Sequence, residues 1–144
     1  MSSATKTARK PLIIAPHEGR TYDMGRMRAT FVADDAQTAS KYSISEWWLE
    51  SYTQGPGVHA HEDDHVFYVI EGTLSVQIAG EWFDAERGSY VVIPGETLHD
   101  FENRGLARCG FITMNVPGGF ESKMPSIVES FAHAPWRTAP KKRR

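Results

Sequence analysis

An all-β fold, a sandwich or a closed barrel, is predicted by three features of this chain. Short β-forming runs recur roughly eight to twelve residues apart, with Gly, Pro, Asn and Asp between them. Only one stretch, after Pro117-Gly118-Gly119, has apolar residues at helical spacing. Four of the six histidines fall in two short clusters at the ends of β-forming runs, where a rigid sheet can hold them.

The elements follow in order. Residues 1–10 have no apolar run and read as a disordered basic tail. Pro-Leu-Ile-Ile-Ala at 11–15 can add an edge or exchanged strand. The first long strand is expected at 27–33, broken by Asp34-Asp35. The next, at 42–52, carries Trp47 and Trp48 and ends at Gln54-Gly55-Pro56-Gly57. Runs at 66–70 and 73–78 are separated by Glu71-Gly72, and Ala79-Gly80 turns the chain into 81–84. Residues 90–93 stop at Pro94-Gly95, and 98–102 and 109–116 flank Asn103-Arg104-Gly105. Phe120, Met124, Ile127, Val128 and Phe131 then predict one short C-terminal helix that caps the barrel. No internal repeat or boundary divides residues 11–136, which read as a single domain. Residues 137–144 read as a second disordered basic tail.

Composition narrows the function classes. A chain of 144 residues suits one hydrophobic core. Eight of the 16 basic residues lie in the two tails, while all 18 acids lie between 11 and 136, so the body carries −10 against +8 in the tails. An acidic body argues against a nucleic-acid groove, which needs clustered positive charge. No apolar run has the length of a membrane span, and the N-terminus lacks the apolar stretch of a secretory signal. With the single Cys109, these features lead us to expect a cytoplasmic protein without a disulfide framework. Cys109 itself reads as a small buried apolar residue, because no basic partner stands beside it.

The histidines carry the chemistry. His59 and His61 are two apart and project to one side of an extended segment. His65 follows the turn Glu62-Asp63-Asp64, one of whose carboxylates can steady an imidazole N–H. His99 follows Pro94-Gly95-Glu96-Thr97-Leu98, from a strand that must lie alongside. Four imidazoles gathered in this way suit a mononuclear site with open positions for water or substrate. Nitrogen donors take Zn, Fe, Mn, Ni, Co or Cu, so the expected cofactor is one divalent transition metal of unassigned identity. His17 and His133 stand outside both clusters and read as surface residues.

Residues 57–72 resemble the first cupin motif: His59-x-His61, three residues, a ligand position, six residues, then Gly72. Residues 88–103 resemble the second: Gly88, five residues, Pro94, a turn, His99, three residues, Asn103. The resemblance implies a double-stranded β-helix, or jelly-roll, barrel and a homodimer with residues 11–33 as the exchanged or edge element. Residues 26–120, including the exit at 117–121, are similar to small bacterial cupins related to quercetin dioxygenases. Two positions depart from the family pattern. His65 stands where a Glu ligand is usual, which leaves four neutral donors and the metal's full positive charge to attract an enolate oxygen. Gly95-Glu96 has its glycine one place earlier than is common.

Strand parity puts Phe67 on the face of His65, and Phe101 and Asn103 on that of His99. Of Trp47 and Trp48 only one can point inward, and parity is lost across Gly55-Pro56-Gly57; Trp48 and Gln54 are carried as pocket candidates beside Phe67, Phe101 and Asn103. The expected ligand is a planar, aromatic or enolic small molecule. The leading expectation is a quercetinase-like dioxygenase. Alternatives are a non-redox Zn polyketide cyclase or isomerase, which some four-His cupins resemble, and a non-enzymatic binding barrel.

Overall fold

The computed structural model describes residues 9–133, so the tail expected at 137–144 and all but the end of that at 1–10 lie outside the described residues. Nine antiparallel strands form two sheets among them. They are β1 (Arg20–Asp23), β2 (Met27–Ala33), β3 (Ser43–Leu49), β4 (Asp64–Glu71), β5 (Thr73–Ile78), β6 (Glu81–Glu86), β7 (Tyr90–Ile93), β8 (His99–Glu102) and β9 (Cys109–Val116). One sheet runs β1-β2-β3-β9-β4-β7 and the other β6-β5-β8. This is the expected jelly-roll architecture, and its alternation is plain in β3, where Ser43, Ser45, Trp47 and Leu49 are buried while the residues between them are not.

Across the register, β3, β9 and β4 build the inner wall in layers. Ser43, Asn115 and His65 lie at one end. Next come Ser45, Thr113 and Phe67, then Trp47, Phe111 and Val69, and finally Leu49 with Cys109. Polarity therefore falls steadily along the barrel. The apolar end is filled by side chains such as Leu49, Val69, Leu74 and Cys109, all fully buried. Each stabilises the fold by about 1.5–3 kcal/mol for the larger chains. Burial pushes the Cys109 thiol up to about 12, in keeping with the small buried residue expected from its lack of a basic partner.

Three local features differ from the sequence reading. Residues 11–15 form no strand; the edge is instead β1, which pairs with β2 from Arg20↔Phe31 to Asp23↔Arg28. Polar Arg20, Thr21 and Asp23 hide that strand from a hydropathy pattern. Strand β3 stops at Leu49, because Tyr52 takes a left-handed φ of 49° and the chain turns. The break at Asp34-Asp35 is a short helix, α1 (Asp35–Thr38), with the Gln37 side chain accepting from the Asp34 N–H at 3.2 Å.

The predicted C-terminal helix is present as a 3-10 turn over Phe120–Lys123 followed by α2 (Met124–His133). Phe120 and Met124 are buried, and Ile127, Val128 and Phe131 pack against the core. One latch holds its start. Arg20 grips Glu121 through Nε and Nη2, each at 2.7 Å, and the Tyr22 hydroxyl donates to Glu121 at 2.8 Å. Burial alone would raise this carboxyl, but the bonds from Arg20 and Tyr22 outweigh it and hold it below the ordinary value.

Glu121→Ala should lower the urea unfolding free energy by about 1–2 kcal/mol, since bonds to a carboxylate count for more than neutral ones but Arg20 is partly exposed. The latch is complete above the ordinary carboxylate pKa and is lost as pH falls through the depressed folded value. Wild type and variant should therefore converge in stability in acid; a difference that persists there would assign the loss to packing instead.

Candidate metal centre

Each histidine is placed by backbone before its ring does anything. His59 and His99 face each other across an isolated antiparallel bridge, and each N–H donates to the other's carbonyl at 2.9 Å. His59 Nδ1 lies 2.6 Å from Gly57 O, and His99 Nδ1 2.8 Å from Thr97 O. A carbonyl can only accept, so each Nδ1 is the protonated nitrogen and each Nε2 of the neutral ring keeps its lone pair. His61 enters through the same loop, whose carbonyl accepts from Glu96 N at 2.6 Å. His65 begins the inward face of β4, beside Asn115.

The rings converge. Their centroids lie 4.4 Å apart for His59 and His99, 4.7 Å for His59 and His61, and 4.6 Å for His61 and His65. The ligand atoms of His59, His61 and His99 lie within 4.8 Å of one another, and those of His61, Asp63 and His65 form a second such group. The four-histidine set expected from sequence is thus divided. His65 Nε2 faces Asp63 Oδ2 at 3.1 Å and lies against Asn115 Nδ2, which itself donates to Asp63 at 2.8 Å. His61 Nε2, His99 Nε2 and His65 Nδ1 are buried without a hydrogen-bond partner. Buried polar atoms are seldom left so. His61 and His99, with His59, bring their ligand atoms within 4.8 Å of one another, and that imidazole set fits a divalent transition metal.

Burial disfavours the charged imidazolium throughout. It is the largest effect on His61, lowered to about 3, with the positive charges His65 and His59 would carry adding to it. His65 is lowered to about 4, chiefly by burial, while Asp63 pulls the other way. Burial also lowers His59 and His99. The cluster is neutral at pH 7 and ready to donate.

Above it opens a cavity of about 690 Å³. Of the pocket candidates, Phe67, Phe101 and Gln54 line it. Trp48 does not: β3 parity turns Trp47 inward and Trp48 outward, where Arg108 lies over its ring at 4.2 Å and Nε1 donates to Glu46 at 2.6 Å. Asn103 is also elsewhere. It follows the end of β8, and its Nδ2 donates to Glu50 O and Ala107 O at 3.0 and 2.8 Å, which pins two loops together. The second motif's Asn is therefore a structural residue here. Glu96 adopts the left-handed φ of 68°, while a Cβ on Gly95 would stand 2.2 Å from Glu62 O. The turn keeps its shape with the glycine one place early, because Gly95 is needed for close approach rather than for φ.

Several site residues escaped the sequence reading. Phe111, Thr113 and Asn115 share the inward face of β9, but apolar Ile112 and Met114 on the other face gave no basis for choosing. Phe120 lies edge-on to His61 at 5.2 Å and to His65 at 5.6 Å, and Lys123 supplies the lining's cation. Helical spacing marked Phe120 as apolar without showing what it covers.

Residues 49–115 match the family described as Cupin domain. Quercetin 2,3-dioxygenase of Bacillus subtilis (strain 168) is 27% identical over 127 residues, which cover 86% of this chain; the chain spans 36% of the relative's length. Among solved structures, KdgF from Halomonas sp. superposes with a TM-score of 0.68 at 20% identity, covering 78% of this chain and 99% of its own. An RmlC-like cupin from Shewanella frigidimarina gives 0.66 at 17%, covering 80% and 99%. No helix among the described residues is long and apolar enough to cross a membrane.

In metal-free protein, proton NMR of the imidazole resonances should show His61 and His65 titrating only as pH nears about 3 and about 4. Because these folded values lie below the unfolded one, the cluster's contribution to stability is complete above about pH 6.5 and lost as pH falls through the folded values. Titration of both rings near pH 6.5 would mean that they are solvated and that the cluster is open.

Proposed function

We propose that this chain, whose residues 49–115 match the cupin domain family, is a metal-dependent dioxygenase acting on an enolic or phenolic aromatic molecule. The observation that carries this reading is the group of unpartnered imidazole nitrogens at the floor of an aromatic-walled cavity. His59, His61 and His99 would hold the metal, with His65 as fourth ligand. When bound, a redox-active divalent metal polarises an enolate or phenolate oxygen and provides an electron path to dioxygen.

The chain's own residues do the remainder. Gly57 O and Thr97 O fix the tautomers of His59 and His99. Asp63 and Asn115 fix the ring of His65. Phe67, Phe101 and Phe120 exclude water and offer flat walls to a planar ring. Lys123, at the helical rim, adds positive potential over an anionic substrate. The 27% identity to a quercetin dioxygenase supports the substrate class.

A second reading keeps the site and drops oxygen: a zinc-dependent cyclisation or isomerisation of the same enolate. It is favoured by position 65, where a histidine leaves the metal without an anionic ligand able to double as base. We also propose a homodimer through the outer sheet face, where Val66 pairs with both Val92 and Met114, and Tyr90 is 71% exposed.

Two measurements test these readings. Elemental analysis of untagged protein should find about one metal per chain, with His59→Ala or His99→Ala losing most of it. His65→Glu should retain metal while weakening binding of anionic substrates, since it lowers the site's charge by one. Oxygen-electrode assays of metal-loaded protein with flavonols, catechols and diketones should then register uptake. Loaded protein that consumes no oxygen with any of them would overturn the dioxygenase and favour zinc chemistry, and metal-free protein would overturn both. Light scattering should return twice the chain mass; a monomer would sink the dimer.

A further inference from the structure

We propose that the Thr113 hydroxyl is the specificity-determining contact of this cavity: it receives a second oxygen of an aromatic substrate whose first oxygen lies among the histidines. The proposal rests on the reading of the site given above and adds to it the substrate class, an aromatic molecule oxygenated at both ends.

Thr113 is 4% exposed, lines the cavity, and its Oγ1 is buried with no hydrogen-bond partner. Outside the histidine cluster it is the one such atom among the described residues. Its polar neighbours are already engaged. Ser45, directly across in β3, accepts from Trp47 Nε1 at 2.8 Å. Asn115, next on the same face of β9, is held by Ser43 at 3.3 Å, by Asp63 at 2.8 Å and by His65. On its other side the cross-strand partner is Phe67, which has nothing to offer a hydroxyl. The missing partner therefore has to come from the cavity itself.

Its position defines what kind of partner. Thr113 lies two residues from Asn115 along β9, a step of about 7 Å from the histidine layer into the aromatic layer. Phe67 and Phe101 meet there edge to face at 5.8 Å, and Phe67 and Phe111 lie 5.0 Å apart. A ring seated on those faces would bring an oxygen on its far side to Thr113. Vicinal oxygens, or the pair in a small diketone, are too close together to reach both layers. A threonine hydroxyl donates and accepts, so either a hydroxyl or a carbonyl would satisfy it.

The test compares two flavonols that share the 3-hydroxy-4-carbonyl group but differ in their other hydroxyls. Quercetin and 3-hydroxyflavone are titrated against metal-loaded protein without oxygen, with tryptophan fluorescence as readout. Thr113→Val should weaken quercetin binding roughly tenfold while leaving 3-hydroxyflavone within about twofold. Thr113→Ser should restore quercetin. Without any ligand, Thr113→Val should melt at or above the wild-type temperature, because it replaces an unanswered hydroxyl by a methyl group of the same shape. Equal losses for both flavonols, no loss for either, no quercetin binding by wild type, or a lower melting temperature in the valine variant would each overturn the assignment. Binding is read without turnover, so a failure of the dioxygenase reading in oxygen-uptake assays remains distinguishable from a failure here.

Discussion

Everything at this site depends on the backbone bridge between His59 and His99. Forty positions separate them, and neither the loop holding His59 nor the turn before His99 is a strand on its own. The paired N–H···O bonds at 2.9 Å join the loop after β3 to the start of β8, and so tie the two sheets together at the open end of the barrel. Directly opposed residues on an antiparallel bridge have their side chains on one side of it. That geometry brings the two rings to 4.4 Å. The carbonyls two residues upstream then fix both tautomers, so main-chain contacts determine position and donor atom alike.

The bridge matters because the barrel's interior is graded. At one end Leu49, Val69 and Leu74 fill it, and the stability of the fold resides there. At the other, imidazoles are buried against Phe120 and under α2, which costs free energy for each polar nitrogen left without a partner. The Arg20–Glu121–Tyr22 latch holds the covering helix in place against that cost. Sequence places the latch residues a hundred positions apart, on a polar edge strand and a helical turn, so neither half announces the other.

What was legible in the sequence followed from period and spacing. Alternation gave the buried face of β4, and the paired motifs brought His59, His61 and His99 into one neighbourhood. What was not legible depended on phase. Trp47 and Trp48 are equally apolar, and only the pairing of Trp47 with Phe111 and Ala29 shows which faces in. Asn103 has the parity of a pocket residue but lies past the end of β8, in a separate bridge with Thr53, where its side chain turns to the carbonyls of Glu50 and Ala107. Thr113 lies in a strand apolar on both faces, so its burial could not be read without its neighbours.

Position 65 shows how a motif can be altered without losing its electrostatics. His65 stands where the motif it resembles usually has a carboxylate, and Asp63, two residues earlier, stands 3.1 Å from its ring. Negative charge is thus kept beside position 65 rather than at it. A carboxylate bonded to an imidazole makes that ring more basic and more tightly oriented. Asn115 makes this arrangement specific, since its amide holds Asp63 in position and its carbonyl is occupied by Ser43. The alteration therefore involves three elements at once: the turn before β4, the inward face of β9 and the start of β3. A histidine at this position without Asp63 and Asn115 would be a buried ring with nothing to orient it.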